Sequence, residues 1–156
     1  MIELSKIFVF PGKLEVSKTP AQFTTILGSC VAVCIWDKQL QFGGMNHFML
    51  PLWNGDGLAS PKYGNIAIDK LVSKMCWFGS DVKDLQAKVF GGGNIITTSN
   101  NMYNVGERNV EMAFSKLNEL GIEIVNSSTG GQRGRKILMN NADFKILHKF
   151  IEKQRF

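Results

Sequence analysis

Gly28-Ser29-Cys30-Val31-Ala32-Val33-Cys34-Ile35-Trp36 and Phe42-Gly43-Gly44-Met45-Asn46-His47-Phe48-Met49-Leu50-Pro51 are the stretches from which the rest of the chain is read. From Cys30 to Trp36 the residues are apolar and rich in β-branched side chains, and Asp37-Lys38 ends the run, so a short buried strand is predicted. A polar turn follows, then a second apolar run closed by Pro51, and the pair predicts a β-hairpin. Gly43 and Gly44 inside that second run predict a bulge or a close backbone approach. In an antiparallel pair joined by an even-numbered loop, residues of opposite parity project from the same face. Cys30 and His47 satisfy that condition. A two-residue turn at Lys38-Gln39 sets them directly opposite, with Cβ atoms about 4.5–5.5 Å apart, and a four-residue turn at Lys38–Gln41 makes them diagonal neighbours about 7–8 Å apart. A bulge at Gly43-Gly44 would shift the parity.

Working outward, Ile7–Phe10 and Leu14–Val16 read as short strands around the Pro11-Gly12 turn, and Phe23–Leu27 as a third that breaks at Gly28-Ser29. Asn54–Pro61 is a polar loop. Ile68, Leu71, Val72, Met75 and Cys76 recur at helical spacing between Asn65 and Phe78, ahead of Gly79. Leu85–Phe90 is a strand running into Gly91-Gly92-Gly93. Val110, Phe114, Leu117 and Leu120 mark a second helix over Val105–Leu120, stopped by Gly121. Ile122–Val125 and Lys136–Met139 read as strands on either side of the Gly130–Gly134 turn. Phe144–Phe150 fits either the return arm of a hairpin about Asn140-Asn141 or a helix. Strands outnumber helices, so the expected class is α+β, a single domain over residues 1–156 with one layer of helices on a mostly antiparallel sheet.

The chain has 156 residues, 44% hydrophobic and 20% charged, which is ordinary for one globular domain and too apolar for disorder. Eleven Phe and three Trp supply core volume, and a chain of this length needs no disulfide or metal as a staple. The net charge of +5 favours acidic partners. Basic residues are scattered apart from Arg133, Arg135 and Lys136, so nucleic-acid binding is not expected. The short apolar run near the N-terminus lacks the features of a signal peptide, and no stretch reaches transmembrane length. Three cysteines, an odd number, suit a reduced cytoplasmic setting rather than a disulfide framework. With His47 and His148 as its two histidines, the chain is poorly supplied for a zinc site, and no metal is expected.

A free cysteine is usually a small buried hydrophobe, and Cys34 and Cys76 are assigned to the core on that basis. Cys30 has a second reading. A thiol is mostly protonated at neutral pH, an adjacent imidazolium lowers its pKa, and the thiolate attacks a carbonyl while the histidine passes its proton to the leaving group. Backbone N–H groups at Gly28-Ser29-Cys30 are the expected oxyanion donors. Thr24 and Thr25 are the nearby hydroxyls able to orient the ring. Gly91–Asn94 lacks the spacing of a phosphate-binding loop and reads as a tight turn. Glu107 suits a helix N-terminus. His148 reads as a surface or half-buried imidazole, and the Arg133–Lys136 cluster either meets acidic groups or stays as solvated charges on a turn.

At these residues the chain resembles the chemoreceptor glutamine deamidase family, CheD. The matching segments are Thr24-Thr25-Ile26-Leu27-Gly28-Ser29-Cys30-Val31-Ala32-Val33 and Gly43-Gly44-Met45-Asn46-His47-Phe48-Met49-Leu50-Pro51. Phe90-Gly91-Gly92-Gly93, Val105-Gly106-Glu107-Arg108-Asn109, Gly130-Gly131 and Gly134-Arg135-Lys136 follow in the same order. Gly93 departs from the pattern, standing where relatives often carry alanine. The resemblance implies a cysteine nucleophile at Cys30, its histidine at His47 and a threonine at Thr24, with Thr25 as the neighbouring alternative. It implies a compact sandwich similar to bacterial toxins that deamidate a glutamine of small GTPases. The implied activity converts glutamines on chemoreceptor cytoplasmic helices to glutamate, without metal or organic cofactor and without membrane insertion. The implied partners are those receptor domains and a CheC-type phosphatase of the chemotaxis response regulator. A second reading makes the chain mainly a regulatory module that docks on receptors and on that phosphatase.

Overall fold

A computed structural model describes residues 4–94 and 104–152. In chain order these form β1 (Ser5–Phe8), β2 (Leu14–Ser17), β3 (Ala21–Leu27), β4 (Val31–Asp37) and β5 (Phe42–Asn46), then α1 (Gly64–Trp77), a 3₁₀ turn (Val82–Asp84) and β6 (Leu85–Gly91). After α2 (Val105–Glu119) come β7 (Glu123–Thr129), β8 (Arg135–Asn140) and β9 (Ile146–Phe150). The strands make two sheets, in the orders β1-β3-β8-β9 and β2-β5-β4-β6-β7. Pairs β1/β3 and β6/β7 are parallel and the others antiparallel. The result is α+β, as the strand-rich pattern predicts, and a two-sheet sandwich, as the resemblance implies. Among the described residues no helix is long and apolar enough to cross a membrane.

The continuous apolar run of β4 has a physical cause: the strand is covered on both faces. Val31, Val33 and Ile35 join Phe42 and Phe48 in packing against α1 and α2. Ala32 and Cys34 turn the other way and meet Phe23, Leu27, Ile137 and Met139 of the first sheet. Each fully buried large aliphatic or aromatic side chain stabilises the fold by about 1.5–3 kcal/mol, so two stacked cores hold the central sheet from both sides.

The hairpin register is set at Asp37, which is fully buried. One carboxylate oxygen accepts the N–H groups of Gln39 and Leu40 at 2.9 Å each, and the other accepts the Ser80 hydroxyl at 2.6 Å. These bonds close a four-residue loop, and Asp37 pairs with Phe42, Trp36 with Gly43, Ile35 with Gly44 and Cys34 with Met45. The glycines carry no bulge. They mark the close approach instead: a methyl group on Gly43 would collide with the Ile35 carbonyl oxygen, and one on Gly44 with the Glu15 carbonyl oxygen. Parity is therefore preserved from the turn toward His47.

The α1 stripe holds at Ile68, Leu71, Val72 and Met75, whereas that of α2 is rotated from its sequence reading. α2 buries Gly106, Asn109, Ala113 and Leu117, while Val110, Phe114 and Leu120 are half-buried flanks. α1 buries Met75, but Cys76 is exposed, correcting its assignment to the core; the helical advance of 100° per residue carries it off the stripe. The tail is the hairpin arm, with Met139 opposite Ile146. Arg135 is not a solvated turn charge: it is 2% exposed, donates Nε–H to the Ser128 hydroxyl at 3.2 Å and lies 5.1 Å from the Phe150 ring centre. His148 is half-buried, stacked on Phe90. Glu107 accepts from the Asn104 side-chain amide at 2.7 Å while Asn104 caps the Glu107 N–H, a reciprocal capping arrangement.

Gly43→Ala is expected to cost at least about 2 kcal/mol in urea unfolding, because the collision is with backbone that cannot swing aside. A midpoint unchanged from wild type would contradict the packing described for β4 and β5.

Candidate active site

The chain passes from the first sheet to the second through Gly28-Ser29-Cys30, and this crossing carries the sulfur. Cys30 is half-buried and packs against the inter-sheet core. His47 follows β5, 2% exposed, with its backbone still paired: its N–H donates to the Lys13 carbonyl and its carbonyl accepts from the Gly12 N–H. Its ring turns across the sandwich to Thr25 of β3, with Nδ1 2.7 Å from the hydroxyl oxygen. Cys30 and His47 therefore face the same inter-sheet space, as the four-residue turn predicts.

The proton inventory fixes the ring's tautomer. The Thr25 hydroxyl donates its single proton to the Val9 carbonyl at 2.7 Å. Toward His47 it can only accept, so Nδ1 carries the hydrogen and Nε2 presents a lone pair. Nε2 is buried and has no hydrogen-bond partner among the described residues. It is the basic atom of the site.

Thr24, the position the family resemblance implies, does not perform this task. β3 alternates, with Phe23, Thr25 and Leu27 buried toward the second sheet and Thr24 and Ile26 on the outer face. The structure brings Thr25 to the ring and keeps Thr24 away from it. The strand period of two admits one of two adjacent residues to a given face.

Burial pushes the Cys30 thiol above its ordinary value, opposed by its own backbone N–H. Burial pushes His47 down to about 4, opposed by the Val9 carbonyl. The resting pair at neutral pH is thus a thiol and a neutral imidazole, not the thiolate–imidazolium pair expected from adjacency alone.

Three consecutive carbonyls at the crossing are held from outside the inter-sheet space. Gly93 N–H donates to Gly28 at 3.0 Å, and Gly92 N–H donates to Cys30 at 2.9 Å. Asn109 Nδ2 donates to Ser29 at 3.0 Å and also to Met49 at 3.1 Å. Gly91 and Gly92 adopt left-handed backbone at φ 110° and 69°, and a side chain on Gly92 would collide with Val110. The glycine run is therefore a tight turn packed against α2 that grips the cysteine loop. The N–H groups of Ser29 and Cys30 bond to no other backbone group among the described residues.

The sequence motifs contain Asn46 and Asn109 but suggest a role for neither. Asn46 Oδ1 accepts the Val33 N–H at 2.8 Å, substituting for a strand carbonyl where the ladder opens beside His47. Both were detectable as polar residues on otherwise apolar faces.

A thiol, a neutral imidazole with its basic nitrogen free, and a hydroxyl behind the ring form the arrangement that thiol-dependent acyl-transfer sites share. The chain belongs to the CheD family. The family model described as CheD chemotactic sensory transduction matches residues 49–150. A probable chemoreceptor glutamine deamidase CheD from Trichlorobacter lovleyi is 51% identical over 144 residues, covering 92% of this chain and 89% of that protein. One from Sulfurimonas denitrificans is 46% identical, covering 99% of this chain and all of the relative. One from Methanococcus maripaludis is 33% identical over 87% of this chain and 89% of the relative. Cys30 and His47 lie before the segment matched by the family model.

Thr25→Val removes the hydroxyl while leaving the Val9 carbonyl and the Nδ1–H buried, and should cost about 1–3 kcal/mol in urea unfolding. Thr24→Val should stay within about 0.5 kcal/mol of wild type. Reversal of that order would return the orienting role to Thr24.

Alkylation by iodoacetamide, read at Cys30 in a Cys76→Ser background, should climb about tenfold per pH unit between pH 6 and 8, since only the thiolate reacts and the thiol pKa is raised. A rate already flat across that range would reveal a preformed ion pair.

Proposed function

We propose that this chain hydrolyses glutamine side-chain amides to glutamate on the cytoplasmic helices of chemoreceptors. The names of its relatives support the substrate. The observation that carries the mechanism is the unpartnered Nε2 of His47, freed by Thr25 on the opposite ring nitrogen and sharing the inter-sheet space with Cys30.

Cys30 is the nucleophile in this reading. Its proton passes to His47 Nε2 as the sulfur bonds to the amide carbon, and the carbonyl oxygen takes the negative charge. The N–H groups of Ser29 and Cys30 receive that oxygen. The tetrahedral species collapses: the carbon–nitrogen bond breaks, Nε2–H protonates the departing nitrogen, and ammonia leaves a γ-glutamyl thioester. Water then gives a proton to Nε2 and its oxygen to the carbonyl carbon, and the sulfur leaves to recover that proton. Thr25 stabilises the transient imidazolium, because its oxygen accepts from Nδ1–H in both charge states. Chemistry of this kind needs no metal or organic cofactor, and the receptor's membrane-embedded part need not be touched. The reading places the chain in the cytoplasm. Docking on a CheC-type phosphatase belongs to the same proposal and is supported by the family resemblance.

Incubation with a receptor cytoplasmic fragment should add about one dalton per converted glutamine, read by mass spectrometry with release of ammonia. Folded Cys30→Ala and His47→Gln variants should leave the fragment unchanged. Full conversion by Cys30→Ala would remove the sulfur from the mechanism and favour a docking role for the cleft.

A further inference from the structure

Asn109 lies on α2, fully buried, and its amide nitrogen bridges two carbonyls from opposite sides of the site: Ser29, one residue before the sulfur, and Met49, two residues after His47. Those two bonds identify which end of the amide faces the site, since only the nitrogen can donate. The Ser29 carbonyl belongs to the same peptide unit as the Cys30 N–H. No cis bond occurs among the described residues, and in a trans unit the N–H points opposite to the carbonyl. With the carbonyl drawn toward α2 on the outer face of the second sheet, the Cys30 N–H is directed toward the inter-sheet space that holds His47. We propose that Asn109 is a positioning residue for the oxyanion: it does not touch the substrate, but it aims the Cys30 N–H and ties the cysteine crossing to the histidine segment. Gly93 and Gly92 hold the carbonyls on either side, leaving Asn109 as the side-chain clamp on the middle unit.

The proposal rests on Cys30 as nucleophile but not on glutamine as the natural substrate, and two small reagents separate them. p-Nitrophenyl acetate reacts through an oxyanion: the sulfur–carbon bond forms, the thiol proton goes to His47, and p-nitrophenolate leaves an acetyl thioester. Iodoacetamide reacts by direct displacement of iodide and forms no oxyanion. Both rates are measured at Cys30 in the full chain carrying Cys76→Ser. Asn109→Asp, which sets carboxylate oxygens against two carbonyls, should slow acetylation about tenfold or more while alkylation stays within about threefold. Asn109→Gln, which keeps the amide donors, should recover part of the acetylation. If the aspartate variant fails to fold, shown by alkylation as fast as in the urea-denatured chain, Asn109→Ser carries the same test with only a small cavity opened. An unchanged ratio of the two rates, or an equal fall in both, overturns the positioning role. Wild type inert to both reagents overturns Cys30 as nucleophile, and this proposal with it; wild type that acetylates but leaves receptor glutamines intact overturns only the substrate.

Discussion

The chain has to cross from one sheet to the other at Gly28-Ser29-Cys30, and a crossing has no strand neighbour to satisfy its backbone. Its three carbonyls are instead held by Gly93, Asn109 and Gly92. A polar backbone group left unpaired away from water costs about 1–3 kcal/mol, so these bonds decide whether the crossing has one conformation or several. They also decide what the other side of each peptide unit presents. Carbonyls drawn outward leave N–H groups turned inward, beside a sulfur that is itself half-buried. The glycine turn and the start of α2 are shaped by this requirement: side chains at Gly92 and Gly106 would each strike the backbone of the other segment.

The imidazole is placed by a different force. Asp37 closes the hairpin loop, the loop sets the register, and the register turns His47 toward the first sheet. There it meets Thr25, whose proton is already held by Val9. Burial keeps the ring neutral and the thiol protonated. Charge is thus absent from the Cys30–His47 pair at neutral pH. A permanently ionised pair would have to be held in a partly buried space at a desolvation cost of several kcal/mol per ion.

Two cores share the strand between them. The helices cover one face of β4 and the first sheet covers the other, so helical packing and inter-sheet packing both bear on the same backbone. Asn46 and Asn109 interrupt the apolar faces where the ladder opens, and both use their side-chain amides to replace strand bonds or bridge segments. Polar residues in such places are retained by their hydrogen bonds rather than by transfer from water.

By itself the sequence determined the order of strands and helices as far as the tail, the hairpin after Asp37, the shared face of Cys30 and His47 for an even-numbered turn without a bulge, and the family that the motifs resemble. The elements and the shared face follow from local periodicities of two and 3.6 residues, which need no knowledge of what lies across the core, and the family from the motifs themselves. Tertiary structure alone decided whether the tail was strand or helix, which of Thr24 and Thr25 reaches the ring, and that Cys76 faces solvent while Arg135 does not. It also decided the neutral state of the thiol and imidazole and the clamp made by Asn109. Each of these depends on a partner remote in sequence, and a hydrogen bond or a buried face exists only once the fold has brought that partner within reach.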